Sequence, residues 1–275
     1  MILRHIKRLV KAHLPKPVLD LVQSKINSAM HRETPRFTSL RNDSYGVLEC
    51  CIAYTESGGF CVPLSSRHRP AAQKIMQGSI WEPETIQFLV SNCNDGDIVH
   101  AGTYFGDFLP ALSRACAPQA KVWAFEPNPE NFGCAAITCA INGLQNVELR
   151  NAGLGAQQDT VAMLTKDRNG RALGGASRLV GKAPENPNGL TESVNIVALD
   201  DVVPIERNIS IIQLDVEGYE KQSLTGALKT ISRCLPVLVL ETLPDESWLS
   251  SNILRLGYTV DQNIHNNTVL TPPSR

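Results

Sequence analysis

The stretch from Asp95 to Pro127, DGDIVHAGTYFGDFLPALSRACAPQAKVWAFEP, constrains the fold more than any other part of the chain. A tight turn, Asp95-Gly96-Asp97, leads into a short β-prone run, Ile98 to Ala101. A glycine loop follows, Gly102-Thr-Tyr-Phe-Gly106, and the apolar spacing after it predicts a helix from near Asp107. Beyond Ala117-Pro118 the chain turns apolar again at Val122 to Phe125 and ends on an acid, Glu126. This is a β-loop-α-β unit with glycines at the first strand end and a carboxylate at the second. Glycine lets the backbone turn tightly and approach a ligand closely. The helix N-terminus behind it offers unpaired N–H groups. A carboxylate at the next strand tip can accept two hydrogen bonds from ribose hydroxyls. Glu126 lies about 20 residues past the loop, as a dinucleotide-type fingerprint requires. The unit points to a nucleoside-containing ligand without saying which one, and an ordinary α/β turn can carry the same pattern.

The 275 residues suffice for one good-sized α/β domain with an N-terminal extension. We place the extension, helical with a β-hairpin, at residues 1–78 and the domain at 79–275. A net charge of −1 gives no general reason to expect nucleic-acid binding. Eight scattered cysteines without a C-x-x-C read as reduced thiols of a cytoplasmic protein, not as a disulfide framework or a zinc site. No apolar run is long enough to span a bilayer, and the basic N-terminus lacks the apolar core of a signal peptide. The spacing of residues 2–14 predicts a short basic amphipathic helix, stopped by Pro15 and Pro17, and a second helix is expected from Val18 to about Met30. The first helix is either a peripheral membrane or partner-docking surface or a packed helix with a solvated basic face.

Residues 46–64 read as a hairpin turning at Ser57-Gly58-Gly59, followed by a basic loop, Arg67-His68-Arg69-Pro70. A helix from Trp81-Glu82-Pro83-Glu84 to about Val90 leads into the central unit. After Glu126, Pro127 and Pro129 stiffen a turn and start a helix that stops at Asn142-Gly143. Strands are expected at Val147–Leu149, Val161–Leu164, Val194–Leu199, Ile209–Leu214 and Pro236–Leu240, with a closing hairpin at 258–270. Helices are expected after Glu220, to Leu228, and from about Glu246 to Leu256. The stretch from Lys166 to Thr191 is too long for a simple connector and reads as a functional or disordered loop that could cover a substrate. Apolar strands alternating with helices indicate a mainly parallel sheet covered on both faces. Such sheets bind ligands at the carboxyl ends of their strands. His100, Gly102, Glu126, Asn151, Asp215 and Glu241 all fall at or near predicted strand ends, so these polar residues are expected to form one site.

Three segments together resemble a known family: the glycine loop with Phe125-Glu126-Pro127-Asn128-Pro129-Glu130-Asn131-Phe132, the Ala198-Leu199-Asp200-Asp201 turn, and Leu214-Asp215-Val216-Glu217-Gly218-Tyr219-Glu220. In this order and spacing, across roughly residues 80–245, they are similar to the FkbM family of S-adenosylmethionine-dependent methyltransferases. The resemblance implies the class I (Rossmann-like) methyltransferase fold, S-adenosyl-L-methionine as cofactor, and an oxygen acceptor on a small molecule or glycan. It implies that Gly102 and Gly106 pass beside the methionine part of the cofactor, and that Glu126 holds its ribose. Asn151 and Ala152 fall near its adenine, and Asp215 and Glu217 face the acceptor. His100, also expected to contact the cofactor, departs from the family, whose loop usually carries an acid there. Tyr104 replaces a small polar residue, and Asp97 or Asp107 could supply the missing charge.

Removing a proton from an acceptor hydroxyl needs a base, and Asp215, supported by Glu217, is the candidate. Clustered carboxylates also suit Mg²⁺ or Ca²⁺, although no metal ligand is assigned. Two other function classes stay open. A non-catalytic module that keeps the cofactor fold is compatible with His100. A nicotinamide-dependent oxidoreductase is disfavoured by the lack of G-x-G-x-x-G and of a Tyr-x-x-x-Lys pair.

Overall fold

The computed structural model describes residues 47–181 and 189–274. The two N-terminal helices expected from sequence lie outside the described residues. Among the described residues, the central sheet has seven strands. In sequence they are β3 (Asp97–Ala101), β4 (Val122–Phe125), β5 (Val147–Arg150), β10 (Ile209–Leu214), β11 (Val237–Leu240), β12 (Thr259–Ile264) and β13 (Asn267–Thr271). Their spatial order is β12-β13-β11-β10-β3-β4-β5. The five strands from β11 to β5 are parallel, and the β12–β13 hairpin adds an antiparallel edge. The chain runs outward from β3 through β4 to β5, then returns to the other side of β3 as β10. That reversal opens a crevice at the carboxyl ends of β3 and β10.

Alternation along the strands explains why both faces are covered. Val99, Ala101, Ile212, Leu214, Leu238 and Leu240 bury against α7 (Leu228–Cys234) and α8 (Glu246–Asn252), through Ile231 and Leu249. Ile98, Val122, Ala124, Ile211 and Val239 point the other way. They meet Leu89 of α2 (Pro83–Asn92), Leu109 and Leu112 of α3 (Leu109–Ala115) and Cys139 of α4 (Pro129–Asn142). Asn128 caps α4 by accepting from the Glu130 and Asn131 amides, and Gly143 ends it with φ +65°.

The hairpin of β1 (Cys50–Thr55) and β2 (Gly58–Pro63) packs on α4: the Cys61 amide donates to Thr138 Oγ1 at 3.0 Å. Its turn is Glu56-Ser57, one residue earlier than expected, because Thr55 pairs with Gly58 and both glycines enter the second strand. The basic loop continues into an unexpected helix, α1 (Pro70–Met76), with Pro70 in its first turn and Ala71, Ala72 and Ile75 buried. The expected helix to Leu228 is broken into α6 (Glu220–Thr225) and α7. A side chain at Gly226, between them, would put its Cβ 2.0 Å from the Gly155 carbonyl oxygen, so the chain must pass there without one.

The strands expected at 161–164 and 194–199 do not join the central sheet. β6 (Gly153–Leu154), β7 (Asp159–Leu164), β8 (Arg178–Gly181) and β9 (Thr191–Val197) form a second sheet, and Leu199 opens a short helix, α5 (Leu199–Val202). The described part of the long loop contains β8 and a 3₁₀ turn at Gly174–Ala176.

At the amino end of β3, Asp97 is 2% exposed. It accepts hydrogen bonds from Trp123 Nε1 at 2.7 Å, the Lys121 amide at 2.9 Å and Arg207 Nε at 2.7 Å. Asp97 is thus committed at the edge opposite the crevice and cannot stand in for a missing acid beside His100. Removing it would strand an indole N–H and a guanidinium. We predict that Asp97→Ala lowers stability by about 3–5 kcal/mol, read as a lower denaturant midpoint with unchanged slope.

Candidate active site

Side-chain parity carries the buried face of α2, α3 and α4 to the strand tips. From Ile98 it leads to His100 and Gly102, from Ala124 to Glu126, from Ile211 to Gln213 and Asp215, and from Val239 to Glu241. Register then sets the neighbours. Gln213 pairs with His100 across β10 and β3, and Leu214 pairs with Leu240 across β10 and β11, which puts Asp215 beside Glu241. Both neighbour pairs interact. His100 Nδ1 lies 2.5 Å from Gln213 Oε1. The Asp215 and Glu241 carboxyl groups come close, with one oxygen of each within 4.8 Å of the other.

The crevice holds two cavities that share Gly102, Gly175 and Asp215. One is an acid-rich chamber of about 180 Å³, lined by Glu82, His100, Asp107, Gln213, Glu217 and Glu241 among others, with Arg69 as a cation at its wall. The other is a narrow, largely apolar slot beside Glu126, lined by Phe125, Leu154, Met163 and Leu179. Its free volume is about 30 Å³, room for about two waters. The turn at Gly174–Ala176 closes it, tied down by Asn131 Nδ2 donating to the Gly174 carbonyl and by the Asn128–Ser177 contact.

Glu126 is buried. Its Oε2 accepts from the Tyr104 amide at 2.7 Å and its Oε1 from the Asn128 amide at 2.8 Å. Two carboxylate oxygens offer about four acceptor sites, so capacity for two further donors remains. Burial still raises its pKa to about 7. Burial likewise raises Asp107 to about 7, and raises Asp215 well above the usual carboxylate range, with the Glu241 charge adding to the effect. Glu217 is also raised, first by burial and then by Glu241. His100 is lowered by burial to about 4 and is therefore neutral at neutral pH. Gln213 offers its carbonyl oxygen, so Nδ1 of His100 carries the proton and Nε2 keeps its lone pair. That Nε2 is buried without a hydrogen-bond partner.

Asp215, Glu217 and His100 thus come together in the acid-rich chamber, and Glu126 faces the slot. Gly102 joins the two, but its tightest neighbour is protein: a Cβ there would lie 1.7 Å from the Asp215 carbonyl oxygen. Gly106 lines neither cavity; its φ is +84°, and a Cβ there would lie 3.1 Å from Leu109 Cδ1 of α3. Asn151 and Ala152 also line neither. Asn151 Nδ2 donates to the Glu126 and Pro127 carbonyls and braces the slot from behind, while Gly153 and Leu154 face it. Gln213 and Glu82 escaped notice in the sequence. The signal for Gln213 was its place as a lone amide in the apolar strand ISIIQL, level with His100.

The sequence model of the Methyltransferase FkbM domain matches residues 100–258, more than half of the chain. The chain belongs to the FkbM methyltransferase family. With the parallel sheet and its switch point at β3, this is the class I methyltransferase fold, and family and fold together imply S-adenosylmethionine. Among similar solved structures is methyltransferase FkbM from Methylobacillus flagellatus KT, at 17% identity and TM-score 0.41, covering 64% of this chain and 43% of that one. A precorrin-6y C5,15-methyltransferase from Geobacter metallireducens matches at 15% identity and TM-score 0.38, covering 68% and 85% of the two chains. The Pyrococcus abyssi tRNA (uracil-54, C5)-methyltransferase with S-adenosyl-L-homocysteine matches at 12% and 0.42, covering 85% and 47%. This chain thus spans less than half the length of the Methylobacillus structure. No curated protein matches the sequence. Among the described residues, no helix is long and apolar enough to cross a membrane.

The FkbM site makes stability depend on pH. Asp107, Glu126 and Glu220 have folded pKa values near 7, raised by burial from ordinary values of 3.8 for Asp and 4.5 for Glu. The folded state therefore binds more protons than the unfolded one between about pH 4 and 7, and stability falls as pH rises through that window. We expect a higher melting temperature at pH 5.5 than at pH 8, with a smaller difference in Glu126→Gln. Equal slopes in the two proteins would remove Glu126 as a source.

Proposed function

We propose that this protein is an S-adenosylmethionine-dependent O-methyltransferase whose acceptor is a hydroxyl on a glycan, a lipid-linked sugar or a natural product. The observation that carries the reading is the Asp215–Glu241 carboxyl pair. It lies at the tip of β10 and β11, in the chamber that meets the Glu126 slot at Gly102.

The residues of the slot fit the implied cofactor chemically. Glu126 offers a carboxylate to ribose hydroxyls, while Leu154, Met163 and Leu179 offer apolar surface to a flat base. The free volume of the slot, about 30 Å³, is less than a nucleoside needs, so the slot must widen on binding. When bound, S-adenosylmethionine supplies an electrophilic methyl group.

This chain's own residues handle the acceptor. Burial and the neighbouring Glu241 carboxylate raise the Asp215 pKa well above the usual carboxylate range, which strengthens it as a proton acceptor. The carboxylates of Glu241 and Glu217 add negative charge beside Asp215, which favours taking a proton from a hydroxyl. Arg69 lines the same chamber and can hold an anionic or hydroxyl-rich part of the acceptor.

Asp215→Asn keeps the shape and removes the base. We expect turnover with a hydroxylated acceptor to fall by roughly 10²- to 10⁴-fold, while S-adenosylhomocysteine affinity measured by calorimetry changes only a few-fold. Near-normal turnover in this variant would exclude Asp215 as the base.

A further inference from the structure

Asp215, Glu217 and Glu241 each present one carboxylate oxygen, and the three oxygens lie within 4.8 Å of one another. Three like charges so close repel strongly in a partly buried site. Their chamber also holds Glu82 and Asp107, against the guanidinium of Arg69 at its wall and the charge of Arg178 near Glu217. Such an arrangement invites a cation, but acids alone do not make a site.

His100 supplies the independent observation. It is 2% exposed and lines the same chamber. Its Nε2 has no hydrogen-bond partner among the described residues, and the Nδ1–H bond to Gln213 keeps a lone pair on Nε2. A buried acceptor left without a donor costs free energy unless something in the chamber meets it. An imidazole pinned through one nitrogen and free at the other is also how metal-binding histidines are held.

We propose that this chamber binds a divalent cation of the Mg²⁺/Mn²⁺ class through one carboxylate oxygen each from Asp215, Glu217 and Glu241, with His100 Nε2 meeting a water on the ion. Carboxylates select hard cations. The inference rests on the proposed function for its catalytic meaning. A cation here would hold the acceptor oxygen and polarise its O–H bond. Asp215 commits one oxygen to the ion and keeps the other for the acceptor's proton. The acceptor class narrows accordingly to hydroxyls with a neighbouring oxygen, such as the vicinal diols of sugars, which can chelate.

The test is a titration of the metal-stripped, full-length protein with Mn²⁺, following loss of the free-ion electron paramagnetic resonance signal. We expect one site per chain, displaced by excess Mg²⁺, and weakened at least about tenfold in Glu217→Gln, in Glu241→Gln and in His100→Gln. Circular dichroism melts identify any variant that fails to fold, and S-adenosylhomocysteine binding is measured on the same samples. Wild-type protein that binds Mn²⁺ no more tightly than the folded Glu217→Gln/Glu241→Gln double variant overturns the cation site. Retained S-adenosylhomocysteine binding would then leave the methyltransferase reading standing. Mn²⁺ binding without S-adenosylhomocysteine binding would support the cation site and remove the catalytic role given to it.

Discussion

The contact on which the site depends is the close approach of β3 and β10 at their carboxyl ends. The Asp215 amide donates to the Ala101 carbonyl at 3.0 Å, and the next residue of β3, Gly102, sits against the Asp215 carbonyl with no room for a side chain. Its φ of +87° then turns the chain out of the sheet. This one backbone junction ends the first strand, opens the crevice and delivers Asp215 to the place where the two cavities meet. A larger residue at position 102 would push the strands apart before any ligand was involved. Gly102 therefore serves the framework first, and any approach to a cofactor follows from that.

The framework sets the chemistry through parity and register. Residues two apart share a face, so the strands that bury Ile98, Ile211 and Val239 must present His100, Gln213, Asp215 and Glu241 on the same side. Parallel pairing places these residues as neighbours, one a neutral imidazole–amide pair and the other a carboxyl pair. Burial of so many acids opposes their ionisation. That opposition destabilises the folded protein at alkaline pH and raises the pKa of Asp215, the base in the proposed reaction. The cost is local, whereas Asp97 at the far edge of the sheet is fully paired and supports the fold.

Much of this was legible in the sequence. The strand Ile209–Leu214 and the helix stop at Asn142-Gly143 follow directly from apolar runs and turn chemistry. The strand-end position of His100, Asp215 and Glu241 was readable because short apolar strands have sharp polar ends. What was not legible depends on contacts distant in sequence. Nothing local marks Gly226 as passing under Gly155, so α6 and α7 read as one helix. The strands of the second sheet read as members of the first because period-2 patterning does not say which sheet a strand joins. Gly106 looked like a ligand contact, yet its tightest neighbour is the Leu109 side chain, and its φ of +84° is what favours glycine there. Asn151 stands beside the slot in sequence but turns its amide to the Glu126 and Pro127 carbonyls.

The central claim is that the Glu126 slot and the Asp215 chamber are two halves of one methyl-transfer site. Calorimetric titration of the full-length protein with S-adenosylhomocysteine, with NADH as the comparison and Glu126→Ala as the control, tests it most directly. The account predicts one-site binding of S-adenosylhomocysteine, none of NADH, and loss of binding in the variant. A folded wild-type protein that binds neither ligand, or that binds NADH instead, would contradict it.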